Sequence, residues 1–408
     1  MSRKEGSNSR RDFIKKGMAG LAGVTVLPSV LKGQIQEPVK PQAETPRKEN
    51  PMIYRTLGKT GLKLPIISLG VMNANNPQLV KAALDAGIIH LDTAWYYQMG
   101  RNEEMIGEVI KGRPRDSFVI ATKVHEDRER ETGLYPKEAS AESFINKFET
   151  SLKRLGLDHV EILYHHNVSR TESLMFEPYL DALVKLKKAG KIRFIGVSTH
   201  KNEPEIIRAA ADSKVYEVVL TSYNYRQLHR HEVEAAMAYA AKAGLGIVGM
   251  KAIAGTGEHR GKLAANARAA LKWALQNENV HTNIPGMTTF DQLTEDLSVM
   301  ADLKLTVEEK AALEADMKVA SLYCQQCEKC LGQCRQGVAI PDLMRSYMYA
   351  YGYRNLCAAK ETLQGMDLEN LPCRTCGSCR VTCPMGFDIQ GKILAISRIK
   401  DVPSDFLV

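Results

Sequence analysis

The first 323 residues of this 408-residue chain contain no cysteine, so disulfides and thiolate metal sites are excluded from most of its length. The pattern G-x-G-x-x-G is also absent, and with it the Gly-rich turn of an open dinucleotide-binding sheet. The first 50 residues hold ten Lys or Arg against five Asp or Glu, which is +5 of the net +8 and leaves +3 for all the rest. This charge distribution gives no argument for a nucleic-acid partner.

The N-terminal segment combines a basic start with an apolar run. The stretch SRRDFIKKG begins at Ser9 and leads into the 15-residue run Gly17–Leu31. It resembles a twin-arginine export signal, which implies export of an already folded protein to the periplasm or the outer face of the cytoplasmic membrane. The run is shorter than the ~20 residues of a membrane-spanning helix, so we expect membrane contact only through an uncleaved signal segment.

We assign residues 1–32 to this signal segment and residues 33–51, rich in Pro, Gln and charge, to a linker. The alternative for the first segment is a disordered basic arm with a chance Arg-Arg pair. No clear cleavage site follows, so release and retention both stay open.

Short apolar runs alternate with segments of helical period between residues 52 and 320, which is typical of βα units. Eight such units predict an α/β fold, a closed (β/α)8 TIM barrel, in preference to an open doubly wound sheet. The strand candidates are Ile66–Leu69, Ile88–Asp92, Phe118–Lys123, Val160–His165, Phe194–Ser198, Val218–Ser222, Gly246–Met250 and Asn283–Pro285. In such a barrel the chemistry belongs at the carboxyl ends of the strands.

Four polar residues lie at or just beyond the ends of neighbouring strand candidates: Asp92, Tyr97, Lys123 and His166. A lysine beside a phenol favours tyrosinate, so we expect Lys123 to lower the pKa of Tyr97 from its ordinary value of about 10. Asp92 would hold the lysine, Tyr97 would exchange a proton with a carbonyl or alcohol oxygen, and His166 would orient that oxygen. Each residue alone could equally belong to a structural ion pair.

The segments GIIHLDTAWYYQMGRNEEMIG, VIATKV, EILYHHN and FIGVST together resemble the aldo-keto reductases over roughly residues 52–300. This resemblance implies a catalytic tetrad of Asp92, Tyr97, Lys123 and His166. It also implies hydride transfer between a nicotinamide cofactor and a small carbonyl or alcohol. Tyr96 and His165 fall one position outside the corresponding motifs, and we expect neither to be catalytic.

The resemblance also implies where the nicotinamide cofactor would bind, although it is weaker here. Thr199, Leu220 and Met250 replace the asparagine, glutamine and tyrosine common in the family, and the basic residues that often bind a 2′-phosphate are missing. The choice between NADP and NAD therefore stays open. The cofactor-binding candidates are Ser198, Thr199, Gly255, Gly257, Gly286 and Thr288.

The last 85 residues contain all nine cysteines, and eight of them form the spacing C-x2-C-x2-C-x3-C twice. This spacing resembles that of bacterial ferredoxins and predicts two [4Fe–4S] clusters in a small, mostly helical, Cys-rich ferredoxin-like domain over residues 321–408. The segment 342–363 between the two motifs is predicted to be a helix. The metal-binding candidates are Cys324, Cys327, Cys330, Cys334, Cys373, Cys376, Cys379 and Cys383.

By the same resemblance, Cys383 would complete the first cluster and Cys334 the second. Disulfides and zinc are the alternatives for these cysteines. The ninth cysteine, Cys357, is expected to be a buried apolar residue. Clusters are assembled in the cytoplasm, which agrees with an export route for folded proteins.

Together these features predict an exported oxidoreductase of aldo-keto reductase type that acts on a small carbonyl or polyol, with sugars among the candidates and a redox partner protein possible. The alternative is an exported iron–sulfur electron-transfer or binding protein whose barrel is catalytically degenerate. In a third hypothesis the clusters only stabilise the fold.

Overall fold

The structure is a computed structural model that describes residues 52–129, 132–254, 266–318, 322–377, 379–403 and 406–407. The chain divides into two compact units, residues 1–49 and residues 50–408, and the account below concerns the second. The predicted signal segment (1–32) and linker (33–51) lie outside the described residues, so both stay predictions. None of the helices in the described ranges is long and apolar enough to cross a membrane.

Eight parallel strands form one sheet in which each strand pairs with the next along the chain. Parallel bridges from Ile67 to Asn283 and from Gly70 to Gly286 join its first and last strands. The predicted (β/α)8 TIM barrel is therefore confirmed. The strands are β1 (Tyr54–Thr56) and β2 (Lys63–Pro65), which precede the barrel, and then β3 (Leu69–Gly70), β4 (His90–Asp92), β5 (Val119–Val124), β6 (Val160–His165), β7 (Ile192–Thr199), β8 (Val218–Ser222), β9 (Gly246–Met250) and β10 (Thr282–Asn283).

Helices follow most of the strands and cover the outside of the barrel. The helix α3 shows how the sequence sets their bounds: Ser140 Oγ accepts from the backbone N–H of Ser143 at its start, and Gly156 ends it in the left-handed conformation. The helices are α1 (Pro77–Asp85), α2 (Arg101–Ile110), α3 (Ala141–Leu155), α4 (Thr171–Leu174), α5 (Glu177–Lys188), α6 (Glu203–Ser213), α7 (Arg230–Ala243), α8 (Ala267–Leu275), α9 (Phe290–Leu297), α10 (Val307–Met317), α11 (Ile340–Tyr347), α12 (Leu356–Thr362) and α13 (Ile389–Ile396).

The central strands agree with the sequence prediction and the outer two differ from it. Strands β6, β8 and β9 have the predicted bounds, whereas β3 and β10 are only two residues long. One reason is Pro285, which was placed in the last strand but has no backbone N–H to donate to a ladder. Its carbonyl still accepts from the N–H of Gly70 at 3.0 Å and so helps to join the two ends of the sheet.

An antiparallel hairpin of β1 and β2, which the sequence analysis did not anticipate, precedes the barrel. Leu57, Leu62 and Leu64 of the hairpin pack into the apolar interior of the barrel. Gly58 in its turn has φ +51°, and a side chain there would meet the backbone carbonyl oxygen of Gly244 at 2.5 Å. The hairpin thus needs glycine at this point to pack against the barrel.

The C-terminal region has its own apolar core, in which Leu343, Met344 and Ile393 are buried between the helices α11 and α13. The single helix predicted over residues 342–363 is wrong. The helix α11 continues as a π-helical turn over Met348–Gly352 and then ends, and α12 begins only at Leu356. Arg354 interrupts the helical path with φ 53°.

The C-terminal region contacts loops at the carboxyl ends of the barrel strands. Asn73, in the loop after β3, donates to the Tyr353 carbonyl oxygen at 3.0 Å and accepts from Asn355 Nδ2 at 2.9 Å. Lys201, just after β7, pairs with Glu328 at 2.5 Å. The cysteine-bearing region therefore lies against the face of the barrel where catalytic groups are expected.

Candidate active site

Parallel strands bring three of the four predicted catalytic residues to one end of the barrel. Asp92 is the last residue of β4, Lys123 lies near the end of β5, and His166 directly follows β6. Tyr97 follows β4 by five residues in a short helical turn. The main-chain path therefore explains why residues far apart in sequence meet here.

Lys123 is the centre of this group. Its Nζ pairs with Asp92 Oδ1 and donates to the Thr93 carbonyl oxygen at 2.6 Å. The same Nζ lies 3.3 Å from Tyr97 Oη and 4.8 Å from the centre of the tyrosine ring. Only 2% of the Lys123 and Asp92 side chains is exposed, so this ion pair is fixed inside the protein.

The ionisation of Tyr97 differs from the sequence expectation. Burial raises the pKa of Tyr97 well above its ordinary value, and the neighbouring Tyr96 and Asp92 raise it further. Lys123 was expected to lower this pKa. Its charge is already compensated by Asp92, and burial lowers the pKa of Lys123 itself. Tyr97 is therefore a protonated phenol in this structure.

His166 is a neutral imidazole beside these groups. Burial lowers the pKa of His166 well below its ordinary value, and Lys123 lowers it further. Its ring lies 6.3 Å from the ring of Tyr97, centre to centre. Nδ1 is buried and has no hydrogen-bond partner among the described residues. A neutral ring with a free nitrogen can hydrogen-bond a substrate oxygen next to the phenol.

Tyr96 and His165, the two residues that fall one position outside the family motifs, have different surroundings. His165 is bonded to Tyr135 Oη at 2.6 Å and to Tyr216 Oη at 3.0 Å, within the apolar layer outside the barrel. Its role is structural. Tyr96 stacks on His166 with ring centres 5.3 Å apart, so it belongs to the wall of the site.

The cofactor-binding candidates are spread over three loops. Ser198 Oγ accepts from the backbone N–H of Asn167 at 2.8 Å, and Thr199 Oγ1 donates to the Lys201 carbonyl oxygen at 2.9 Å. Gly286 is exposed. Among the described residues, only the Gly70 carbonyl oxygen, at 3.7 Å, would lie within contact distance of a Cβ at this position. Such an open glycine leaves room for a ligand close to the backbone.

The remaining candidates differ in what the structure shows of them. Thr288 is exposed just before α9, where its N–H and hydroxyl both contact Gln292 Oε1, at 2.7 and 3.1 Å. Gly255 and Gly257 lie outside the described residues. Two of the unusual residues, Leu220 and Met250, are buried in the apolar interior of the barrel. The exposed groups at Gly286 and Thr288 fit a dinucleotide extended across the barrel mouth.

The thiols of the first predicted set of cluster ligands influence one another's pKa. Burial raises the pKa of Cys330 to about 11, and the Cys324 thiol raises it further, as do Cys327 and Cys383. Burial also raises the pKa of Cys324, with Cys327 and Cys383 again acting on it. Three cysteines of the first motif thus group with the last cysteine of the second motif.

The second set shows the reciprocal exchange. Burial raises the pKa of the Cys373 thiol, and the thiols of Cys334, Cys379 and Cys376 raise it further. Cys334, the last cysteine of the first motif, therefore lies with the three from the second motif. This crossed order of mutual influence is the one that two-cluster ferredoxins use for their ligands.

The nine cysteines all lie in the described residues, and none of them forms a disulfide. In the described part of the chain, no three His, Cys, Asp or Glu side chains are arranged to hold a metal ion. Cys357 lies outside both sets, with its Sγ 3.4 Å from Glu361 Oε1. It is only half-buried, so the expectation of a buried residue is wrong.

Two residues of the C-terminal region reach the candidate active site and were not predicted to do so. Arg345 Nη2 donates to Asn167 Oδ1 at 3.3 Å, next to His166. Tyr349, one turn further on, influences the pKa of both Tyr96 and Tyr97. No local sequence signal marks them, because the docking of α11 on the barrel decides their position.

The chain resembles known families in both of its regions. Residues 70–266 match the family model described as "Aldo/keto reductase family", and residues 323–388 match the "4Fe-4S dicluster domain". The barrel is therefore similar to the aldo/keto reductases, and the C-terminal region is similar to a 4Fe-4S dicluster domain.

Characterised relatives resemble the barrel. The chain is 33% identical over 171 residues to L-glyceraldehyde 3-phosphate reductase of Escherichia coli K12, which is 39% of this chain and 48% of that protein. It is 33% identical over 160 residues to L-galactose dehydrogenase of Arabidopsis thaliana, covering 35% of this chain and 47% of the relative. The matches thus span about half the length of these relatives.

Solved structures resemble the barrel as well. An aldo-keto reductase from Bacillus halodurans in its holo form has a TM-score of 0.54 at 21% identity and covers 65% of this chain and 96% of its own. A thermostable aldo-keto reductase in complex with the inhibitor epalrestat has a TM-score of 0.52 at 25% identity, covering 65% and 99%. The first likeness shows the fold alone.

Proposed function

We propose that this protein is a nicotinamide-dependent oxidoreductase that interconverts a small carbonyl compound and the corresponding alcohol, with sugars and polyols as the substrate class. The observation that carries the proposal is the contact of 3.3 Å between Lys123 Nζ and Tyr97 Oη, with Asp92 paired to the same nitrogen. Relatives named as a reductase of a sugar phosphate and a dehydrogenase of a sugar support the substrate class.

Tyr97 is the proton donor in the reducing direction. Its raised pKa keeps the phenol protonated, and the adjacent Lys123 stabilises the tyrosinate that forms when the proton moves to the substrate oxygen. His166 holds that oxygen through its free nitrogen. Asp92 keeps Lys123 in position and offsets its charge.

When bound, a nicotinamide dinucleotide would supply or accept the hydride. In the reducing direction Tyr97 gives its proton to the substrate oxygen. Ser198, Thr199, Gly286 and Thr288 would hold this cofactor, together with the segment that contains Gly255 and Gly257. The structure does not distinguish NADP from NAD, and we assign neither.

Two [4Fe–4S] clusters, held by the crossed cysteine sets, would complete the protein. When bound, they supply one-electron exchange, which does not couple directly to hydride transfer. We therefore propose that a redox partner protein, if one acts, meets the C-terminal domain rather than the substrate site. We also propose export by the twin-arginine route, since a protein carrying clusters must fold before it leaves the cytoplasm.

The decisive experiment follows the hydride itself. Protein purified without oxygen is given reduced nicotinamide dinucleotide with both C4 hydrogens replaced by deuterium, together with a panel of aldehydes, ketones and sugars, and the products are analysed by mass spectrometry. Deuterium on the former carbonyl carbon supports the proposal. Binding of the dinucleotide without any transfer over the panel counts against it.

A second candidate is an electron-transfer or binding protein whose barrel no longer turns over. It is favoured by one observation, that Arg345 of the C-terminal region donates to Asn167, the residue after His166, at 3.3 Å. Purified protein with about eight irons that binds no added dinucleotide would support this candidate.

A further inference from the structure

Arg345 is a C-terminal residue that lies at the barrel mouth. It lies on α11, and its Nη2 donates to Asn167 Oδ1 at 3.3 Å. Asn167 follows His166 directly and has φ 59°, a left-handed conformation that is uncommon for a residue with a side chain. Such strain at the end of a barrel strand is typical of functional positions. Arg345 is therefore fixed next to one of the substrate-binding candidates.

Two more cations approach the same place from other loops. Lys251 comes directly after β9 and, like Asn167, has φ 59°. Arg128 lies in the loop after β5. The charges of Arg345 and Arg128 both act on His166, and those of Lys251 and Arg345 act on His200. Three cationic side chains thus act on two histidines that burial keeps neutral.

Two carboxylates act on these cations. Glu203 acts on Lys251, but its carboxylate already binds Ser222 Oγ at 2.6 Å and His229 Nε2 at 3.0 Å. Asp342, one turn before Arg345 on α11, acts on that guanidinium, which also hydrogen-bonds Tyr349. An oxyanion would give these buried cations a further charged partner beside Tyr97.

Buried polar atoms without partners lie in the same region. Arg128 Nη1, His166 Nδ1 and His200 Nδ1 are all buried and have no hydrogen-bond partner among the described residues. His166 and His200 are only 3% and 8% exposed. A guanidinium N–H, and an imidazole nitrogen in its N–H tautomer, can donate to the acceptor oxygens of a carboxylate or a phosphate.

We propose that Arg345, assisted by Lys251 and Arg128, binds an oxyanionic group of the substrate while its carbonyl lies against Tyr97 and His166. The proposal rests on the proposed function and narrows it: the substrates are carbonyl compounds that carry a carboxylate or a phosphate. It also gives the cluster-bearing domain a direct part in substrate recognition, since Arg345 belongs to that domain.

Matched substrates test the proposal on the complete holoprotein. The phosphate pair is glyceraldehyde 3-phosphate and glyceraldehyde, and the carboxylate pair is succinic semialdehyde and butanal. With Arg345→Gln we expect the KM of the preferred anionic substrate to rise about 10- to 100-fold, the range for losing a charged hydrogen bond, with little change in kcat or with the neutral substrate. Arg345→Lys should restore part of the loss because it keeps the charge.

Two controls separate this role from a structural one. Arg398→Gln changes an exposed arginine of the same domain and should leave all constants unchanged. Arg128→Gln should weaken the binding of the same anionic substrate. This second variant keeps the test valid if Arg345→Gln does not fold. Iron content shows which variants have folded.

The outcomes can be told apart. The proposal would be overturned if Arg345→Gln raised the KM of anionic and neutral substrates by the same factor. It would also be overturned if Arg345→Gln lowered the affinity for the dinucleotide as much as the affinity for the anionic substrate, because Arg345 would then belong to the cofactor site. Calorimetry with the unreactive anions 2-phosphoglycolate and succinate does not depend on turnover. If the wild type binds these anions and Arg345→Gln does not, the anion site is supported even if no carbonyl is reduced. Turnover of carbonyl substrates with no preference for anions would reject the anion site but leave the proposed function standing.

Discussion

The barrel and the C-terminal domain position their functional groups by different means. In the barrel, Asp92 and Lys123 lie on hydrogen-bonded strands and are almost fully buried. In the C-terminal domain the motif cysteines lie on loops and one short helical turn, and Cys376 and Cys379 are exposed. The backbone alone thus forms the first site, whereas the second needs its ligand to hold the loops together. The predictions below test this difference.

The largest effect is expected from removing one cluster ligand. Cys330→Ser should lose the first cluster and unfold the loops around it, because binding free energy in such sites is folding free energy, about 10–16 kcal/mol in zinc-binding peptides. Hydrogen exchange should then show lost protection in α11–α13 and unchanged protection in β4–β7.

Cys357→Ser is the matched control, since Cys357 belongs to neither cysteine set. It should keep the full iron content. If Cys330→Ser also unfolds the barrel strands, the barrel depends on the cluster as much as the C-terminal domain does.

A large effect on activity is expected from Tyr97→Phe. Loss of the proton donor should lower kcat by about 10²- to 10⁴-fold, the usual contribution of a general acid. The barrel and the iron content should be unchanged, because the Tyr97 hydroxyl is not needed for the Asp92 to Lys123 pair. Tyr96→Phe, which removes the neighbouring hydroxyl, should cost far less. Similar losses in both variants would remove Tyr97 from its assigned role.

A stability effect within the barrel is expected from Asp92→Asn. It leaves Lys123 buried without its anionic partner, which costs about 3–5 kcal/mol when a buried pair is broken. Chemical denaturation of the barrel followed by circular dichroism measures this cost. Lys111→Gln, at an exposed pair with Glu108, should change stability by less than about 0.5 kcal/mol.

The smallest effect concerns pH and the pair of His229 and Glu203, whose atoms are 3.0 Å apart. The hydrogen bond to Glu203 raises the pKa of His229, and, although burial opposes it, hydrogen bonds from His229 and Ser222 lower the pKa of Glu203. The histidine contribution is complete below its unfolded pKa of about 6.5 and is lost as the pH rises through the higher folded value.

The stability difference between the wild type and His229→Gln should therefore be larger at about pH 5.5 than at about pH 9, by roughly 1 kcal/mol or less for a partly exposed pair. The carboxylate contribution is lost at low pH, as the pH falls through the lowered pKa of Glu203. Urea unfolding at the two pH values measures the difference, and an equal or opposite change would show that the pair does not stabilise the barrel.

The order of the barrel strands and the four tetrad positions could be predicted because they depend on local sequence. The signals are the alternation of apolar residues in strands, the glycines that follow helices and the D-T-A-x-x-Y spacing. Each of these patterns can be recognised within about ten residues. The protonated state of Tyr97 could not be predicted, since burial by distant segments outweighs the nearby lysine. Arg345 was missed for the same reason: its position depends on how α11 docks on the barrel.

The break after α11 was missed for a different reason. The chain leaves the helical path after Gly352, where the Asn355 side chain accepts from the Ala358 N–H to start the next helix and Tyr353 and Asn355 contact Asn73. Propensity is a weak guide where a segment is held at both ends by other parts of the protein.

The π-helical turn Met348–Gly352 makes the number of residues in this segment important, independently of their side chains. A π turn amounts to one residue inserted into an α-helix. Deleting Ala350 would restore the regular helix and rotate all that follows by about 100°, which would turn the Tyr353 carbonyl oxygen away from Asn73. A single codon could thus detach this end of the cluster-bearing domain from the barrel rim without altering any residue of either site.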